Sequence, residues 1–135
     1  MENSVVAEKL TPALDQTPLP RALGCQLDRK AILARLQGDE ELFRDLVALF
    51  MEDTPHLVKD AREALASGDA SSLQRAAHTI KGSVSNFGAG PAVDAAWRLE
   101  QVGQSADLSE GLVALEGVEQ ALADVERELT RLVRN

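Results

Sequence analysis

The sequence predicts an all-α domain, an antiparallel up-down four-helix bundle with a short additional N-terminal helix. Three observations carry this expectation. Apolar residues recur at helical spacing along four long segments, and no alternating run suits a strand. The segments are separated by short links marked with Gly, Pro and Asp. Aromatic residues make up only 3% of the 135-residue chain, with no tyrosine, while alanine and leucine are abundant, a composition that fills packed helices better than sheets.

Residues 1–26 contain Pro12, Pro18 and Pro20 and show no sustained period, so they are read as a flexible lead, with the bundle expected over 27–135. Asp28 is the expected N-cap of a short first helix that carries Ile32, Leu33 and Leu36 and stops at Gly38. Asp39 opens the next helix, with Glu40 and Glu41 in the first turn, where the helix dipole favours acids. Its inner stripe is read as Leu42, Leu46, Leu49, Phe50, Leu57, Ala61 and Leu65, as far as Gly68. Pro55 lies inside that run and predicts a kink or two helices in series.

Asp69 caps the segment that follows, and Leu73, Ala76, Ala77, Ile80, Val84 and Phe87 form its apolar stripe. It ends at Gly88-Ala89-Gly90, after which Pro91 suits the first position of another helix. Ala92, Ala95, Ala96, Leu99 and Val102 make the inner stripe of that helix, and Trp97 is read as a core or rim packing residue. Ser109 is the expected cap of the last helix. There Leu115, Val118, Leu122, Val125, Leu129 and Leu132 form a heptad-like seam.

Composition removes several function classes. Formal net charge is -8, from 22 acidic and 14 basic residues, so no electrostatic footprint for nucleic acid or an anionic membrane is present. Cys25 is the single cysteine and can support neither an internal disulfide nor a metal framework. The stretch MENSVVAEKL lacks a basic segment followed by an apolar run, and no apolar stretch approaches the roughly 20 residues that span a bilayer, so a cytoplasmic location is expected. No GxxxxGK[ST] loop occurs, and Arg75 and Asp53 stand where a di-metal bundle would need a Glu three residues before each His. Neither a cofactor nor a metal of its own is therefore expected.

The residues around His78 stand apart from this background. On a helix His78 projects about 140° from the centre of the apolar stripe, on the face shared with Gln74, Arg75, Lys81, Gly82 and Ser85. A glycine in a helix interior costs roughly 1 kcal/mol relative to alanine. At i+4 from His78, Gly82 removes the side chain that would crowd the imidazole, and Lys81 at i+3 favours an anionic group such as a phosphoryl. An exposed imidazole is largely neutral near pH 7 and can attack an electrophilic phosphorus. With no nucleotide site beside it, such a residue describes a carrier and not a kinase. His56, after Pro55, has no lysine or glycine at these spacings and is read as surface.

Ala77-His78-Thr79-Ile80-Lys81-Gly82-Ser83, followed by Asn86-Phe87-Gly88-Ala89, closely resembles the signature of histidine-containing phosphotransfer (HPt) domains. The likeness extends to the stretch from Leu36 to Leu42, to the Phe50 to Pro55 segment, to Ala64-Leu65 with Gly68-Asp69, and to Leu99-Glu100. It implies a bundle that receives a phosphoryl group on His78 from a receiver-domain aspartate and passes it to another receiver. By the same resemblance Lys81 stabilises the phosphoryl group, Gly82 leaves room for the receiver loops, and Ser83 belongs to the polar shell. Gln74, Arg75, Ser83 and Ser85 are the expected partner-binding residues. A residue of the neighbouring helix, with Gln101 as the candidate, is expected to hydrogen-bond the ring and fix its tautomer. Magnesium would come from the receiver, and the partners would be response-regulator receivers and a hybrid sensor histidine kinase, met by a monomeric carrier.

Two other readings use the same residues. Histidine kinase dimerisation helices follow their histidine with an acidic residue and then Arg-x-Pro, whereas Thr79 follows His78 and no proline comes before Pro91. A helical interaction module that binds a receiver or kinase without phosphotransfer would not require His78 itself.

Overall fold

The computed structural model describes residues 27–134, and the expected lead at 1–26 with Cys25 lies outside the described residues. The described chain is all helical. A short α1 (Arg29–Arg35) precedes α2 (Glu40–Ser67), α3 (Ala70–Ser85) and α4 (Gly90–Ser105), and a 3-10 turn at Leu108–Glu110 leads into α5 (Gly111–Arg134). The four long helices form a closed ring of neighbours: α2 packs on α3, α3 on α4, α4 on α5, and α5 back on α2.

Aspartates open most of these elements, because a helix leaves its first N–H groups without partners inside the helix. Asp28 accepts from the Lys30 and Ala31 amides, Asp39 from Leu42 and Asp69 from Ser72. α4 has no side-chain cap and begins instead with Pro91 in its first turn, where a missing N–H costs nothing. The expected cap at Ser109 is corrected to Asp107, whose carboxylate accepts from the Ser109 amide and starts the 3-10 turn ahead of α5.

Two apolar stripes compete on α2, one residue apart. The inner one is Phe43, Val47, Phe50, Ala61 and Ala64, joined by Thr54. The leucine stripe expected to be inner lies outward at its start, with Leu42 and Leu49 40% and 52% exposed. The phenylalanines decide the rotation. Phe50 meets Phe87 edge-on, with centroids 5.6 Å apart, and the Arg29 guanidinium lies 5.7 Å from the centre of the Phe43 ring.

Pro55 does not divide α2 into two helices; a single helix runs through it. The proline removes the bond its N–H would donate to the Met51 carbonyl, a loss of about 3 kcal/mol in a helix interior. Burial of Val47 and Phe50 before it and of Ala61 and Ala64 after it holds both halves against the same core. The ring itself faces solvent.

On α3 with the turn that follows it, and on α5, every residue of the expected apolar stripes is buried, from Leu73 to Phe87 and from Leu115 to Leu132. On α4, Ala92, Ala96 and Leu99 are buried, Ala95 and Val102 half-buried, and Trp97 sits at the rim with 51% of its surface open. α1 closes one end of the assembly. Its Arg29 pairs with Glu40 at 2.6 Å and donates to the Leu132 carbonyl, while Arg35 donates to the Ser85 and Asn86 carbonyls at the end of α3.

α3 and α4 pack more extensively than any other pair. Gly103 explains how. A Cβ there would lie 2.7 Å from the Gln74 amide nitrogen and 2.9 Å from its Cα, so the two backbones are in direct contact. Gly103→Ala must push α4 away from α3, and the expected loss is about 1–3 kcal/mol, the usual range for overpacking, read as a lower urea midpoint at unchanged slope.

Candidate functional site

The site lies between α3 and α4, a turn along from the contact of Gly103 with Gln74. The apolar stripe of α3 turns Leu73, Ala77, Ile80 and Val84 inward, and that rotation leaves the His78 side chain 69% exposed on the opposite side. Four residues on, Gly82 is open, with no atom within 4 Å of the position a Cβ would take. The imidazole is accessible from solvent on this side. Gly82 therefore gains nothing from close packing.

A carboxylate from α4 reaches across to α3. Glu100 Oε2 lies 2.8 Å from His78 Nδ1, and Oε1 lies 2.6 Å from Lys81 Nζ. The carboxylate is only 12% exposed, and its Oε1 has Lys81 as an ionic partner in place of an in-line hydrogen bond. The Lys81 ammonium, and then the His78 contact, hold the Glu100 carboxyl below the ordinary glutamate value of 4.5 despite its partial burial. Ionised, Glu100 can only accept hydrogen bonds. Nδ1 of His78 must then carry the ring hydrogen, and the lone pair of the neutral ring is on Nε2, across the ring from Glu100.

The tautomer-fixing residue is thus Glu100 and not Gln101. The difference of one position is about 100° around α4. It follows from the rotation that Gly103 imposes by lying against Gln74. A sequence signal for this existed in the pairing of Glu100 with a glycine three residues later on a helix otherwise lined with alanine.

The other residues singled out in the sequence occupy different parts of the surface. Gln74 is half-buried, with its backbone against Gly103. Arg75 is exposed and donates to the Ser71 and Ser72 hydroxyls. The Ser85 hydroxyl donates back to the Lys81 carbonyl at 2.7 Å. Ser83 turns toward α2 and lines a shallow depression with Asn86, Leu46, Leu49 and Asp53. His56 is exposed. Among the described residues no group of three or more His, Cys, Asp or Glu side chains could hold a metal ion, and no helix is long and apolar enough to cross a membrane.

Comparison with known proteins bears directly on this geometry. The family model of the Hpt domain matches residues 45–133, which include the whole His78 helix and Glu100. The chain belongs to the Hpt domain family. Among solved structures, histidine-containing phosphotransfer protein B from Pseudomonas aeruginosa is similar, with 25% identity, a TM-score of 0.74, and coverage of 81% of this chain and 95% of that one. A search of curated proteins found no match. The Hpt fold here therefore carries its exposed histidine on α3, held from behind by a carboxylate on α4.

Two consequences for stability follow. Because the carboxyl of Glu100 is more acidic in the folded chain, its contribution is complete above about pH 4.5 and is lost as pH falls through the lowered value. Glu100→Gln is expected to be less stable than the parent at pH 7, with the difference shrinking below pH 4.5, as read from urea midpoints across an acid series. Gly82→Ala is expected to raise stability by up to about 1 kcal/mol, since the position is open and helical.

Proposed function

We propose that this Hpt chain is a phosphorelay carrier that accepts a phosphoryl group on Nε2 of His78 from the aspartyl phosphate of a receiver domain and passes it to another receiver. The observation that carries this reading is the Glu100 carboxylate on Nδ1, which leaves the nucleophilic lone pair of an exposed imidazole on Nε2. Attack on phosphorus forms the Nε2–P bond as the acyl phosphate P–O bond breaks. The aspartate leaves as a carboxylate. No proton need leave the ring, because Nε2 carries none, and the positive charge that develops on it faces Glu100.

Lys81, half-buried three residues on and paired with Glu100 in this structure, is read as the cation that turns to the incoming phosphoryl group, and Gly82 leaves the space into which receiver loops fit. Gln74, Arg75, Ser83 and Ser85, on the adjoining parts of the surface, are read as docking contacts. Exposed Leu49 and half-buried Leu46 extend the surface past Ser83 with an apolar margin. Magnesium and the remaining catalytic groups come with the receiver, and the phosphoryl group originates from a hybrid sensor histidine kinase. The chain works as a cytoplasmic monomer, and the ring of four long helices is read as an up-down bundle.

The test is incubation with a panel of phosphorylated receiver domains and magnesium, following acid-labile, base-stable label. Label is expected on the parent and is lost in His78→Gln, with stability changed by no more than about 1 kcal/mol, the worth of the hydrogen bond to Glu100 that the glutamine amide can partly replace. Lys81→Ala is expected to slow transfer roughly 10- to 100-fold, the worth of one charged hydrogen bond, and Gly82→Leu to abolish docking while the fold persists. Receiver binding without label on the parent would support an interaction module instead.

A further inference from the structure

Glu100 makes two contacts with one carboxylate, and both partners belong to the transfer site. Oε2 takes the Nδ1 hydrogen of His78, and Oε1 holds the Lys81 ammonium. A neutral hydrogen-bond acceptor would be enough to fix the tautomer of the ring. A charged one, half-neutralised by Lys81 and largely withdrawn from water, does something more.

We propose that the negative charge of Glu100 governs how readily phosphorylated His78 gives its phosphoryl group away, by keeping the proton on Nδ1 while Nε2 carries phosphorus. The inference rests on His78 as the acceptor and concerns the release half of the cycle. On release the Nε2–P bond breaks, its electron pair returns to Nε2, and an oxygen of the acceptor bonds to phosphorus. With Nδ1 still protonated, the ring leaves as neutral imidazole. With that proton lost, it would have to leave as imidazolate, a far poorer leaving group. A carboxylate 2.8 Å from Nδ1 favours the protonated ring, as an opposite charge at this range favours any charged form.

Lys81 tempers the effect from the other oxygen. It neutralises part of the charge that Glu100 offers the ring, so the two residues set opposing limits on release. The other charged groups near this face are Arg75, three residues before His78, and from α2 Asp60 and Glu63, which line the groove that Arg75 and Thr79 border. None of these contacts Nδ1, and all are unchanged in variants of Glu100. Glu100 acts through His78 and is a positioning residue.

The experiment loads the chain with phosphoramidate, a small donor that needs no receiver, and follows release to water by phosphorus NMR between pH 5 and 9. In the parent, the rate is expected to fall with rising pH as Nδ1 loses its proton. In Glu100→Gln, which keeps an acceptor of the same shape, the midpoint of that fall moves down by about one pH unit, and release above it is roughly tenfold slower. Lys81→Ala moves the midpoint up. Nitrogen NMR of the loaded ring, following Nδ1 protonation directly, is expected to track the same midpoints. Identical midpoints in the parent and Glu100→Gln, with both folded, would overturn the proposal. Absence of a His78 phosphoryl signal in the parent would instead overturn the carrier reading on which it rests.

Discussion

The backbone contact between Gly103 and Gln74 is the constraint on which the site depends. It sets the distance between α3 and α4, and that distance lets a glutamate of ordinary length reach Nδ1 of a histidine that otherwise projects into solvent. Two requirements conflict at such a histidine. It must be open enough for another protein to reach, yet one nitrogen must be held so that the other keeps its lone pair. Burial would satisfy the second and violate the first. Support from a neighbouring helix, with Gly82 leaving the outer side clear, satisfies both.

Much of this was legible in the sequence because the relevant patterns are local. The stripes of α3 and α5 repeat at helical spacing with no competing apolar face, and each of their residues is buried as read. The exposure of His78 follows from the α3 stripe alone. The openness beside it follows from Gly82 in a helix interior. The aspartate caps at positions 28, 39 and 69 were equally readable, since their chemistry lies within a few residues.

What escaped the sequence depends on how helices rotate against one another. α2 carries two apolar stripes one residue apart, and only contacts with α1 and with Phe87 decide that Phe43 and Phe50 turn inward while Leu42 and Leu49 turn out. Gln101 and Glu100 differ by one step around α4, and the choice is made by where Gly103 lies on α3. Pro55 reads as a break because the local cost is real, yet the helix continues where core contacts on both sides of the proline exceed it.

The match to the family model begins at residue 45, but the folded unit begins earlier. Leu27, Ile32 and Phe43 are buried ahead of that boundary, and Arg35 supplies donors to the last carbonyls of the helix that bears His78. A version of this chain trimmed to the matched residues would keep every side chain that contacts the imidazole and still strip the lid from one end of the helix that carries it. The span that matches the family model and the span that must fold together have different lengths.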